Sequence, residues 1–156
     1  MRCIFSICIP IFAVILVISQ SSCNKNHSQG SICTNGTYDY INDVCSCSTG
    51  YEGAGCNVLS RDKFLGNWNQ IDLFPLIVAP ANDIVSVIIT NFDNNNLSQI
   101  TAYVFHSDSL IIPIQGSKGK IYQGYCLYIQ DRDITVHYNV TDSLTNITTT
   151  IDTKWN

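Results

Sequence analysis

From residue 84 onward the chain alternates short apolar, β-branched runs with polar breaks. The runs fall at 84–92 (IVSVIITNF), 99–106 (QITAYVFH), 109–115 (SLIIPIQ), 121–130 (IYQGYCLYIQ), 133–141 (DITVHYNVT) and 146–155. Between them lie the turn-rich breaks DNNN, SDS, GSKG, DRD and TDSLT. Runs of this length at regular spacing predict an antiparallel meander. The clearest period of two has Ile134, Val136, Tyr138 and Val140 on one face and Thr135, His137, Asn139 and Thr141 on the other, so that one face is core and the other wet. No segment has helical periodicity. With a strand around Trp68, about seven strands are expected, enough to close or nearly close a small barrel. Pro113 has no N–H to donate and predicts an edge or a bulge in its strand.

The N-terminal apolar run has a different character. Met1-Arg2 is followed by CIFSICIPIFAVILVI at 3–18 and then by SQSSC, the pattern of a signal peptide over 1–22. Pro10 and a length below the ~20 residues of a spanning helix disfavour a permanent transmembrane anchor. The small pair Ser21-Ser22 before Cys23 resembles the lipobox of bacterial lipoproteins, with Gln20 where that motif prefers Leu. The resemblance implies lipidation of Cys23 as the mature N-terminus, and several acyl chains on one cysteine would tether the chain stably. Ordinary cleavage would instead leave Cys23 free for a disulfide. Residues 23–32 read as a flexible polar tether.

Beyond an export signal the compartment is oxidising, so cysteine spacing is legible as a disulfide framework. The segment CTNGTYDYINDVCSCSTGYEGAGCN, at 33–57, resembles an EGF-like module: Cys-x-Asn-Gly, Cys-x-Cys, then x-x-Gly-Tyr-x-Gly-x-x-Cys. Modules of that family carry six cysteines paired first to third, second to fourth and fifth to sixth. Cys33, Cys45, Cys47 and Cys56 align with the second, fourth, fifth and sixth. The third position, near Thr37-Tyr38, is not cysteine, and the first is absent unless Cys23 serves. One bridge is thus missing, and the resemblance implies Cys33–Cys45 and Cys47–Cys56. Four cysteines permit three connectivities, of which one needs a strained Cys45–Cys47 ring. Each implied bridge should stabilise by roughly 2–4 kcal/mol a module with almost no core. Cys-x-Cys makes a poorer zinc knuckle than Cys-x-x-Cys, and NHSQGSI lacks the acidic cluster that calcium requires. No metal or cofactor is expected, and the module reads as a spacer or interaction unit.

After Asn57, SRDKFLGNW offers Ser60 or Asp62 as caps for a single helical turn. Gly66-Asn67-Trp68 resembles the Gly-x-Trp signature of lipocalin-like barrels, which implies such a barrel over 61–156. The fold class expected is all-β: a small disulfide-bridged EGF-like module followed by an antiparallel meander forming a lipocalin-like barrel. The whole order of features resembles a group of Gram-negative envelope lipoproteins with lipocalin-like domains. That resemblance implies architecture and carries over no catalytic residue.

Charge narrows the function. The formal net charge is −4, only 13% of residues are charged and the eight basic residues form no cluster, which speaks against nucleic-acid binding. Ser60 and Lys63 fit Ser-x-x-Lys, but the companion motifs of the penicillin-recognising serine enzymes are missing. His27, His106 and His137 are scattered. Cys126 shares strand parity with Tyr122, Gly124 and Tyr128 and reads as a small packed hydrophobe. Sequons at Asn26, Asn35, Asn96, Asn139 and Asn146 arise by chance in an Asn- and Thr-rich chain and would carry no sugar of the usual kind in a bacterial protein, a judgement that a eukaryotic host would reverse. The expectation is a non-enzymatic lipoprotein of the cell envelope, membrane-anchored in the outer membrane. It would act in binding or structural contacts with a protein or a small apolar ligand in the barrel, unless side chains fill that interior. The alternative is a small hydrolase or isomerase in the barrel mouth, drawing on His106, Asp108, Asp131 and Asp133.

Overall fold

Residues of alternating burial build most of the chain's strands. In β6 (Phe74–Pro80), Phe74, Leu76 and Val78 point inward while Pro75 and Ile77 point outward. In β11 (Ile134–Asp142), Ile134, Val136, Tyr138 and Val140 are buried, the face assigned from the sequence. The computed structural model describes residues 33–70, 73–95, 98–130 and 133–156. The expected signal peptide and tether, with Cys23, Asn26 and His27, and also Asn96 and Asp131, lie outside them.

Two small hairpins come first. β1 (Gly36–Asp39) pairs with β2 (Val44–Cys47), and β3 (Tyr51–Glu52) with β4 (Val58–Leu59). After a 3-10 turn at Ser60–Phe64 the chain enters β5 (Gly66–Gln70), β6, β7 (Ser86–Thr90), β8 (Gln99–His106), β9 (Ser109–Ser117), β10 (Lys120–Tyr128), β11 and β12 (Thr148–Trp155). Each of these eight pairs antiparallel with the next, and β12 returns to β5, giving a closed barrel. The closing seam is short. Trp155 stands opposite Gln70, and Asn69 and Asn156 exchange backbone hydrogen bonds of 2.9 and 3.0 Å.

Eight strands form the barrel, where the sequence pattern led us to expect about seven. The strand missed is β6, whose two prolines mask its alternation. Pro75 lies beyond the last register pair with β7, Ile77 opposite Thr90, so its missing N–H costs that ladder nothing. The run at 84–92 is also shorter than expected, because Asn91 adopts a left-handed conformation (φ 64°) and a second 3-10 turn, Phe92–Asn94, follows. Neither Ser60 nor Asp62 caps the first turn. Leu59 occupies the cap position without a side-chain bond, and Ser60 is buried, its amide donating to the Gly50 carbonyl at 2.9 Å.

Pro113 does sit at a bulge. Tyr122 faces Gln115 and Gly124 faces Ile112, so Pro113 and Ile114 together oppose Gln123. On the other side of β9 the ladder with β8 spans only Tyr103 to His106. Beyond it the Gln115 carboxamide takes the place of a peptide group, accepting from the Thr101 amide at 2.8 Å and donating to the Thr101 carbonyl at 2.6 Å.

Candidate binding site

The bridges join Cys33 to Cys45 and Cys47 to Cys56. Ile32–Asn156 forms one compact unit, so the bridged segment and the barrel are held together. Lys63, on the first 3-10 turn, pairs with Glu52 of β3 at 2.7 Å and lies 5.6 Å from the Tyr128 ring centroid. Arg61 on the same turn reaches the β6–β7 loop, where one guanidinium nitrogen donates to the carbonyls of Ala81, Asp83 and Ser86. The two N–H groups of that nitrogen are shared among the three carbonyls, while Arg61 Nε is buried without a partner. The sequence reading gave Arg61 no such role.

Gly66 and Trp68 belong to the barrel wall. Gly66 has φ 134°, a conformation open to glycine, and it turns the chain from the 3-10 turn into β5. The buried Trp68 indole then reaches back to donate to the Phe64 carbonyl at 2.7 Å. Phe64 itself is fully buried and meets Tyr128 edge-on at 5.8 Å.

A second ring enters the barrel from the β7–β8 connection. Phe92 is buried, with ring centroids 5.3 Å from Tyr122, 4.6 Å from Tyr138 and 6.2 Å from Trp155. The adjacent Asp93 accepts from the Tyr138 hydroxyl at 3.0 Å and from Lys120 Nζ at 2.6 Å. Burial, reinforced by the Asp93 charge, pushes the Tyr138 phenol well up and that of Tyr122 up to about 12. Trp68, Trp155, Tyr122, Tyr138, Phe64 and Phe92 are each essentially fully buried. An eight-stranded barrel is just wide enough for its own side chains, and these rings occupy that space.

Of the residues of the enzymatic alternative, Asp108 and Asp133 lie on neighbouring turns, their carbonyls accepting from the Tyr128 and Ile129 amides at 2.8 and 2.9 Å. His106 is exposed, its ring edge-on to Phe105 at 4.3 Å, and its backbone amide donates to Ser109 Oγ. Cys126 is a fully buried free thiol whose burial pushes it up, out of the reactive range. Among the described residues no group of three His, Cys, Asp or Glu side chains could hold a metal ion.

The outer wall carries the more distinctive arrangement. Register places Tyr103, Ile111, Tyr125, His137 and Asp152 opposite one another in turn, one row crossing β8 to β12. The Tyr125 and His137 rings stack at 5.2 Å and 26°. His137 Nδ1 is hydrogen-bonded to Asp152 Oδ1, which fixes the ring in the row. Beside the row lies a cleft of about 470 Å3, lined by Tyr103, Pro113, Gln123, Tyr125, His137 and Asn139 among others. Of these, only His137 was weighed as a functional residue in the sequence, and without its neighbours. No family model, curated protein or solved structure matches the chain.

Proposed function

We propose that this chain is a non-enzymatic cell-envelope lipoprotein, exported and tethered through a lipid on Cys23, in which a truncated EGF-like module braces a lipocalin-like barrel. Its work is binding, and the binding surface is the barrel's outer wall. One observation carries this reading: six large aromatic side chains fill the interior, whereas Tyr103 and Tyr125 stand 38% and 40% exposed outside. An apolar guest inside would have to displace Phe92. The two bridges support an oxidising, extracytoplasmic compartment. Lysines and arginines form no cluster in the sequence, in keeping with a partner other than nucleic acid.

The test is the intact mass of the mature protein from its native membrane, with and without reduction. A gain matching a triacylated Cys23, with four cysteines shielded from alkylation until reduction, is the expected result. An unmodified N-terminus would remove the lipid anchor, and free thiols at all four positions would remove the EGF-like reading.

A further inference from the structure

We propose that the outer-wall cleft is a saccharide site that takes one or two uncharged pyranose rings; this rests on the reading of the outer wall as the binding surface. A barrel wall is convex, and a dent in it needs a cause. Here there are two. A Cβ on Gly124 would overlap the His137 carbonyl oxygen and come within 2.6 Å of Tyr138 Cβ, so only glycine lets β10 approach β11 this closely. On the other flank the Pro113 bulge bends β9. The cleft of about 470 Å3 that results has the volume of a small-molecule site.

Its chemistry selects the ligand. The Tyr125 ring, 40% exposed and stacked on the His137 ring, offers a flat, weakly polar surface of the kind that packs on the C–H face of a sugar. At the rim, the Asn139 oxygen accepts from Thr150 Oγ1 at 2.7 Å, which leaves its amide N–H groups to donate. Gln123 contributes a second carboxamide, this one exposed, and a carboxamide donates and accepts at once, as a hydroxyl requires. With Asp152 holding His137 Nδ1, Nε2 is the second polar atom of that ring. No Lys or Arg lines the cleft, so nothing there would neutralise a phosphate or a carboxylate. The cleft opens on β8 to β11, each paired on both sides, so a peptide could not add there by backbone pairing; the edge that the short seam leaves open belongs to β12.

The experiment is saturation-transfer NMR on the full chain with bridges intact, using lactose, maltose, cellobiose and N,N′-diacetylchitobiose as probes. At least one should receive transfer at its ring protons, and that signal should fall at least fivefold in both Tyr125→Ala and Gln123→Ala, with thermal unfolding confirming that each variant is folded. Three outcomes overturn the proposal: no transfer to any probe, transfer that survives both substitutions, or a dimer in equilibrium sedimentation that Tyr125→Ala abolishes. The last would assign the row to a second copy of the chain. A lipidated, bridged protein without transfer would remove the cleft and leave the tethered module standing. Transfer with an unmodified Cys23 would do the reverse.

Discussion

Asp93 holds more of the barrel's polar interior than its place in a DNNN turn suggests. It adopts a left-handed conformation (φ 57°), as do Asn91 and Asn94, and Asp and Asn tolerate that region better than most residues. From there its carboxylate satisfies Tyr138 and Lys120 together. Asp93→Ala should cost about 1–3 kcal/mol in urea unfolding, because it leaves a buried phenol without an acceptor. Acid should act at Asp83, Asp142 and Asp39. The hydroxyl of Ser86, then the amides of Ser86 and Val85, hold Asp83 below the usual carboxylate range. The amides of Thr145 and Leu144 do the same for Asp142, and the Asn42 side chain followed by backbone amides for Asp39. A folded pKa below the unfolded value stabilises the protein above that unfolded value, near 4, and the stabilisation is lost as pH falls through the folded values. Thermal unfolding temperature should therefore decline below about pH 4, less steeply in Asp83→Asn.

At the scale of elements, the bridged hairpins and the barrel strands are stabilised differently. β1–β2 and β3–β4 are too short to stand alone in water. Their bridges close loops with sequence separations of 12 and 9 residues. Removing either pair of cysteines should cost about 2–3 kcal/mol, read as a lower midpoint in urea, with the barrel's β-sheet circular dichroism retained in its absence. Strand alternation, the Pro113 bulge and the inward parity of Cys126 were all legible, because each depends on period two within one run. β6 was not, because a proline inside an apolar run is ordinarily a sign against a strand, and only its position relative to β7 makes it harmless. Helix capping by Ser60 failed for a similar reason: burial at the junction decided that residue's role.

At the scale of the molecule, closure depends on the chain's last strand meeting the first strand of the barrel. Trp155 serves both the seam and the core, since its fully buried ring lies near Phe92. Trp155→Ala should cost about 3–5 kcal/mol in chemical denaturation. Amide hydrogen exchange at Asn69 and Asn156 should quicken more than at the centre of β11, because only the seam amides lose their partners' support. The filled interior also explains why binding is assigned to the wall. Eight strands leave room for side chains, and this sequence supplies large ones.

What the sequence by itself determined is whatever acts over short separations: the two-residue period of the strands, the turn breaks, the buried face of β11, the glycine before Trp68 and the bulge at Pro113. The cysteine pairing was legible only through the EGF-like resemblance, since local geometry disfavours one of the three connectivities and leaves two. Tertiary structure alone decided the rest. Lys120 meets Asp93 across 27 residues and Tyr138 meets it across 45. Arg61 finds its carbonyls 20 to 25 residues away. The row from Tyr103 to Asp152 exists only because four successive registers align one outward residue from each of five strands. A slip of one residue in any of those ladders would turn that strand's member of the row inward, so the cleft is a property of the summed pairings, which no single stretch of sequence contains.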